Sequence, residues 1–208
     1  MKAPASRSSS PRGFSLIEVM VVLAIIVTVA FLAVPAVRQM MGGRGLTATG
    51  SAIANNLQLA RQSALLQNRP IEVRFYFLPG PDGEGGRHYR AFQLFRIEDT
   101  GAVPTTRILF FSKSIILTES PSTTSLLSLP GQPLDGATTG VKLPGVGVGY
   151  QYLSFRFRPS GDTNLDITQK WFLTVVSENA PTVVEGLPAD FLTIQLDPTS
   201  GKAVTLRP

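Results

Sequence analysis

The segment that most limits what this chain can become is FSLIEVMVVLAIIVTVAFLAVPAV, Phe14 to Val37, which is apolar except for Ser15, Glu18 and Thr28. As a helix, Val19 to Val37 spans roughly 28 Å at 1.5 Å per residue, close to the hydrocarbon thickness of a bilayer. Hydrophobic residues are 43% of the 208 and charged residues only 16%, and the apolar excess is concentrated at this front end. An ordinary secretory signal has a shorter apolar region, about 7–15 residues, followed by a small-residue cleavage site.

Residues 1–13, MKAPASRSSSPRG, are polar, Ser-rich and basic, and end in Arg12-Gly13. Lys2, Arg7 and Arg12 precede the apolar run, and Arg38 and Arg44 follow it. The heavier positive end favours a cytoplasmic N-terminus. The formal charge of +5 comes from 19 Lys and Arg against 14 Asp and Glu. With three of the cations in the first 13 residues, the remainder carries 16 against 14. The basic balance therefore belongs mostly to this leader and is no nucleic-acid signal. Cysteine is absent, which removes disulfides, thiolate catalysis and cysteine metal sites together.

Glu18 is the odd residue of the run. An ionised carboxylate near the start of a spanning helix costs about 2–3 kcal/mol, so a partner is expected unless the group sits hydrated at headgroup depth. If the chain is cut after Gly13, Phe14 becomes the N-terminus and its α-ammonium lies within helical reach of Glu18. In a bundle of such helices, a neighbour's Phe14 amine can pair with Glu18 instead. That pairing neutralises two charges in low dielectric and sets the axial register between subunits.

The string Arg12-Gly13-Phe14-Ser15-Leu16-Ile17-Glu18-Val19 resembles the cleavage and methylation motif of type IV prepilins and type II secretion pseudopilins. The resemblance implies that a prepilin peptidase cuts after Gly13 and N-methylates Phe14, and that Glu18 guides assembly. Pro35 falls where that family often has a helix-kinking proline. The implied partners are the prepilin peptidase, other pilin or pseudopilin subunits, an inner-membrane assembly platform, and membrane lipid before assembly. The implied location is a single pass of the inner membrane with the head in the periplasm, then the pilus or pseudopilus.

The sequence divides into a leader (1–13), a hydrophobic helix (14–38) and a head (39–208). Met40 to Gly45, MMGGRG, reads as a flexible break. Leu46 to Gln67 predicts a second helix, with Leu46, Ile53, Leu57, Ala60 and Ala64 on one stripe and Gly50 weakening its first part. Asn68-Arg69-Pro70 ends it. Strand patterns follow at Ile71–Phe77, Tyr89–Ile97, Arg107–Leu117, Tyr152–Arg158, Trp171–Val176, Phe191–Leu196 and Ala203–Arg207. Gly80–Gly86 reads as a loop. Glu119–Gly149, rich in Ser, Thr, Pro and Gly, reads as a long irregular excursion with one short strand. The class is α+β: a long N-terminal hydrophobic helix, then a β-rich pilin-like head of one antiparallel sheet or two packed sheets with a covering helix.

Asn55 to Phe75, Phe155 to Asn164 and Leu196 to Pro208 resemble the pseudopilin H and fimbrial T group. Arg87 to Asp99, Trp171 to Thr174 and the Gly-Leu-Pro-Ala block at Gly186 resemble more narrowly the Verru_Chthon cassette protein D family. The first likeness implies a minor place in a filament that serves protein secretion. The second implies relatives rather than a task.

Catalytic constellations are missing. His88 is the only histidine and reads as a solvated loop or strand-edge residue. Asp82 and Glu84 lack the spacing of a calcium loop, and a hairpin turn explains them. Ser200-Gly201-Lys202 lacks the rest of a P-loop, and Gly145, Gly147 and Gly149 lack a strand-then-helix context. No enzyme activity, cofactor or metal is expected; the chain is itself the peptidase's substrate. Some fimbrial T-type pilins bind DNA through a C-terminal pair of arginines, but the matching stretch here is Gly201-Lys202-Ala203-Val204. Arg74, Arg156, Arg158 and Arg207 read as solubilising charges on strand faces, so nucleic acid is not an expected partner. Two other readings differ in kind. One is an adhesin or DNA-uptake pilin gripping a ligand with Glu119–Gly149. The other is a tethered or secreted domain cut near Ala33–Ala36 or left uncut.

Overall fold

The computed structural model describes residues 15–80, 86–180, 182–184 and 187–207, with side chains described for all of these except 32–42 and 182–184. The chain forms two compact units, Met1–Met41 and Gly42–Pro208, and the boundary falls inside one helix. That helix, α1, runs over Leu16–Gln67, 52 residues. The flexible break expected at Met40–Gly45 is therefore helical, and the two expected helices are one. A glycine costs a helix about 1 kcal/mol relative to alanine but keeps its N–H and C=O, so it weakens the ladder without cutting it. Further along α1 the missing side chain is used for contact: a Cβ at Gly50 would stand 2.6 Å from Leu192 Cδ2. The helix stops at Gln67, where Asn68 takes a left-handed φ of 48° and Pro70 cannot continue the ladder.

The head is built on antiparallel strands. They are β1 (Ile71–Leu78), β2 (His88–Glu98), β3 (Gly101–Pro104), β4 (Leu109–Phe110), β5 (Ile115–Leu117), β6 (Leu134–Asp135), β7 (Gln151–Phe157), β8 (Trp171–Ser177), β9 (Thr182–Val184), β10 (Leu187–Pro188), β11 (Phe191–Leu196) and β12 (Ala203–Leu206). Ten form one sheet in the order β12-β11-β8-β5-β2-β1-β7-β6, with β3 and β4 also paired to β2; β9 and β10 pair separately. The fold is α+β, as the sequence pattern implies, in its single-sheet form.

β1 shows how the sheet divides the core. Ile71, Val73 and Phe75 join Ile53, Leu57, Ala60 and Ala64 of α1 in the larger cluster, so the helix stripe covers the sheet as expected. The alternate residues Tyr76 and Leu78 join Tyr150, Tyr152, Phe95 and Leu143 in a second cluster. That opposite face is roofed by the later part of the excursion before β7, from β6 through the 3-10 turn Gly136–Thr139 to Tyr150, whereas the earlier 3-10 turn, Ser125–Ser128, puts Leu126 into the larger cluster. The Asp135 carboxylate caps the Gly136–Thr139 turn by accepting the Ala137 N–H at 2.9 Å.

Two strand expectations change. Arg107–Leu117 is two short strands rather than one: β4 pairs with β2 at Ala91 and Phe92, and β5 lies between β2, which it meets at Tyr89, and β8. The Ile115 N–H bonds the Ser112 carbonyl at 2.8 Å and turns the chain between them. β3 was not expected; it is a hairpin return on β2 through Gly101, whose φ of 131° suits glycine.

Candidate functional site

At the N-terminal unit, Glu18 lies in the first turn of α1 and is exposed. A carboxylate there complements the partial positive charge of the helix start. Gly13 and Phe14, the expected cleavage and methylation residues, lie outside the described residues. From Leu16 to Phe31 every described side chain is exposed, including Leu16, Ile17, Met20 and Phe31. Thr28, the polar residue deepest in the run, donates its hydroxyl to the Ala24 carbonyl at 2.7 Å and so carries no unmet donor outward. Among the described residues no helix is long and apolar enough to cross a membrane. The described side chains of the run end at Phe31, while in the sequence it stays apolar to Val37.

In the head, Arg74 is not a solubilising surface charge. Its side chain is 6% exposed, its guanidinium lies 4.0 Å over the Phe95 ring and 4.9 Å over Tyr152, and its Nε donates to Glu72 at 2.5 Å. Glu72 also accepts from Arg156 Nε at 2.7 Å. The strand alternation located these residues on the second face; what the sequence concealed is the roof that buries them. Arg158 and Arg207 keep exposed positions, paired with Asp162 and Asp190.

His88 opens β2 and is half-buried rather than solvated. Its Nδ1 lies 2.5 Å from Glu119 and its Nε2 lies 3.6 Å from Glu178. Arg90, two residues on, donates to Glu178 at 2.5 Å. That hydrogen bond holds the Glu178 carboxyl below the usual glutamate range. Burial, with the nearby Glu119 charge, pushes the Tyr89 phenol up to about 12. The cluster ties the start of β2 to the ends of β5 and β8. Among the described residues no group of three or more His, Cys, Asp or Glu side chains is placed to hold a metal ion. Asp82 and Glu84 lie outside the described residues.

Residues 8–34 match the family model described as "Prokaryotic N-terminal methylation motif", a stretch that contains Gly13, Phe14 and Glu18. The chain thus carries the N-terminal methylation motif of prepilin-type proteins ahead of an α+β head. Among solved structures it is similar to the minor pseudopilin EpsH from the Type 2 Secretion System of Vibrio cholerae. That likeness has 12% identity, covers 78% of this chain and 97% of that one, and has a TM-score of 0.42. No curated protein matches.

Proposed function

We propose that this chain is a pilin or pseudopilin subunit, a structural protein that is cut by prepilin peptidase and assembled into a type IV pilus-like or type II secretion filament. The observation that carries the reading is the pairing of one carboxylate, Glu18, with an otherwise apolar and exposed helix surface from Leu16 to Phe31, inside a matched methylation motif. A helix of that surface needs lipid or other helices around it. The peptidase cuts between Gly13 and Phe14 and methylates Phe14. The helix then leaves the inner membrane sideways into a bundle of like helices, where a neighbour's Phe14 ammonium meets Glu18 and the head faces outward. The resemblance to the pseudopilin H group supports a minor place near the filament tip, held by few copies.

The deciding measurement is the intact mass and N-terminal residue of the membrane-extracted protein, made with and without prepilin peptidase. A chain that begins at N-methylated Phe14 only when the peptidase is present bears the reading out. A chain still starting at Met1, or one starting beyond Ala36, removes it.

A further inference from the structure

We propose that His88 is a pH-sensitive clasp in the ten-stranded sheet: with its ring protonated it holds the start of β2 to the β5–β8 side of the head, and as the ring loses its charge that join loosens. The clasp lies wholly within the head, so it does not depend on how the chain is processed or assembled.

Along the path β12-β11-β8-β5-β2-β1-β7-β6, the join between β5 and β2 has the fewest backbone pairings. β1 pairs with β2 at eight positions and β11 with β8 at six, whereas β5 meets β2 only where Tyr89 faces Leu117. β4 also lies on β2, but it ends at Phe110, and the chain turns between Ser112 and Ile115 where β5 begins. A join with one pairing opens more readily than a long ladder, because fewer hydrogen bonds have to break together. Side chains beside that pairing are therefore placed to decide how firmly it holds.

His88 directly precedes Tyr89 and reaches both strands on the far side. Its Nδ1 lies 2.5 Å from Glu119, two residues past the end of β5. Its Nε2 lies 3.6 Å from Oε1 of Glu178, one residue past the end of β8. A neutral imidazole has one N–H and one lone pair, so it donates to one of these carboxylates and turns its lone pair on the other. The imidazolium donates from both nitrogens. A ring with a carboxylate at each nitrogen is matched only in its charged form.

A second cation, Arg90, donates to the same Glu178 oxygen at 2.5 Å. With the ring charged, His88 and Arg90 balance Glu119 and Glu178. With the ring neutral, the four groups are left with one excess negative charge. Arg90 still holds Glu178, so a tie from β2 to β8 survives, while the Glu119 carboxylate, with its side chain 42% exposed, turns to water. The neighbours in sequence do not replace the ring. Tyr89 stays neutral, its phenol pushed up to about 12, and Arg87 donates to the Gly149 carbonyl at 3.1 Å. Imidazole is the side chain that changes charge between about pH 5 and 8. The tie is therefore full at the acid end of that range and fades as pH rises.

The full chain in detergent micelles is followed by amide hydrogen exchange at about pH 5.5 and about pH 7.5, within the range over which imidazole titrates. Each rate is divided by that of an unstructured peptide at the same pH. Protection of the peptides covering Tyr89 and Leu117 is expected to fall about threefold or more between the two, the scale of a partly exposed ion pair. Peptides from β1 and β7, on the other side of β2, are expected to keep theirs. His88→Gln cannot take up charge and is expected to show the lower protection at both pH values. His88→Lys keeps a charge throughout and is expected to show the higher protection at both. A parent chain with no fall overturns the proposal. So does a fall of the same size in either variant, because the titrating group is then a different one.

Discussion

Gly201 and Gly161 meet backbone to backbone: a Cβ at Gly201 would run into the Gly161 carbonyl oxygen, and Gly201 holds a left-handed φ of 65°. The same carbonyl accepts the Arg61 Nε–H at 3.2 Å, and Arg61 also donates to the Ser200 carbonyl at 2.7 Å. One helix arginine thus clips the β7–β8 loop and the β11–β12 turn together, and only glycine fits the close approach. Gly201→Ala is expected to destabilise the head by roughly 1–3 kcal/mol, from strained φ plus displaced backbone. For a domain of this size that is about 2–4 °C of melting temperature per kcal/mol. Thermal unfolding followed by the fluorescence of Trp171, the single tryptophan, reads it. An unchanged melting temperature would mean that the clip is not as close as described.

The buried pair on the second face makes a sharper contrast. Glu72→Gln leaves the Arg74 guanidinium without its counter-charge in a site where its side chain is 6% exposed. Removing one partner of a buried pair costs about 3–5 kcal/mol, because the remaining charge stays desolvated. Arg156→Gln removes the other contact to Glu72, but that side chain is 51% exposed and its loss is expected to cost about 1 kcal/mol or less. Urea unfolding of the two variants separates them. Equal losses would count against the stacked, roofed position of Arg74.

Acid sensitivity follows from Glu178. Its carboxyl is held below the usual value of 4.5, first by the Arg90 hydrogen bond. The unfolded chain therefore takes up the proton first. The contribution to stability is present above the unfolded value and is lost as pH falls through the folded one. Tyr89 has the opposite sign: it is raised from 10.0 to about 12, so its contribution is present below pH 10 and fades as the phenol ionises. Urea midpoints are expected to fall between pH 5 and pH 3, and Glu178→Gln is expected to flatten part of that fall. A fall of the same depth in the variant would remove Glu178 from the acid response.

The parts of the structure legible in sequence were those in which local pattern and burial agree. The 3.6-residue stripe from Leu46 to Ala64 is buried as its spacing implies, and the longer strand patterns β1, β2, β7, β8 and β11 fall within a residue of their expected bounds. What failed depended on distant partners. Met40–Gly45 reads as a break because glycine weakens helices locally, yet the ladder of α1 continues through it. Arg74 reads as exposed because nothing in IEVRFYF announces a roof supplied by Leu143 and Tyr150. That roof also bears on the adhesin reading: trimming Glu119–Gly149 would uncover Tyr76 and Tyr152, so lost ligand binding after trimming would not by itself identify a binding loop. At the candidate sites, the Arg90–Glu178 pair joins residues 88 positions apart and leaves no local signal. Glu18 was legible because a lone carboxylate in an apolar run needs no tertiary information to stand out.

Glu18 also supports the most direct prediction about assembly. Glu18→Ala keeps the apolar surface of Leu16 to Phe31 and removes only the carboxylate from the first turn of α1. The peptidase acts at Gly13-Phe14, upstream of the change, so mass spectrometry is expected to show the same Phe14 start as the parent chain. Assembly is expected to fail, because each incoming Phe14 ammonium then enters an apolar bundle with no counter-charge, at a cost of about 3–5 kcal/mol per subunit. At 1.4 kcal/mol per tenfold, that weakens subunit addition by a factor of about 100 or more. Glu18→Asp keeps the charge but shortens the reach by one methylene, and is expected to assemble with a smaller deficit. The amount of sedimentable filament from the three chains orders them as parent, then Asp, then Ala. Full assembly by Glu18→Ala would remove the pairing role while leaving processing intact, and the axial register would then have to come from contacts between heads.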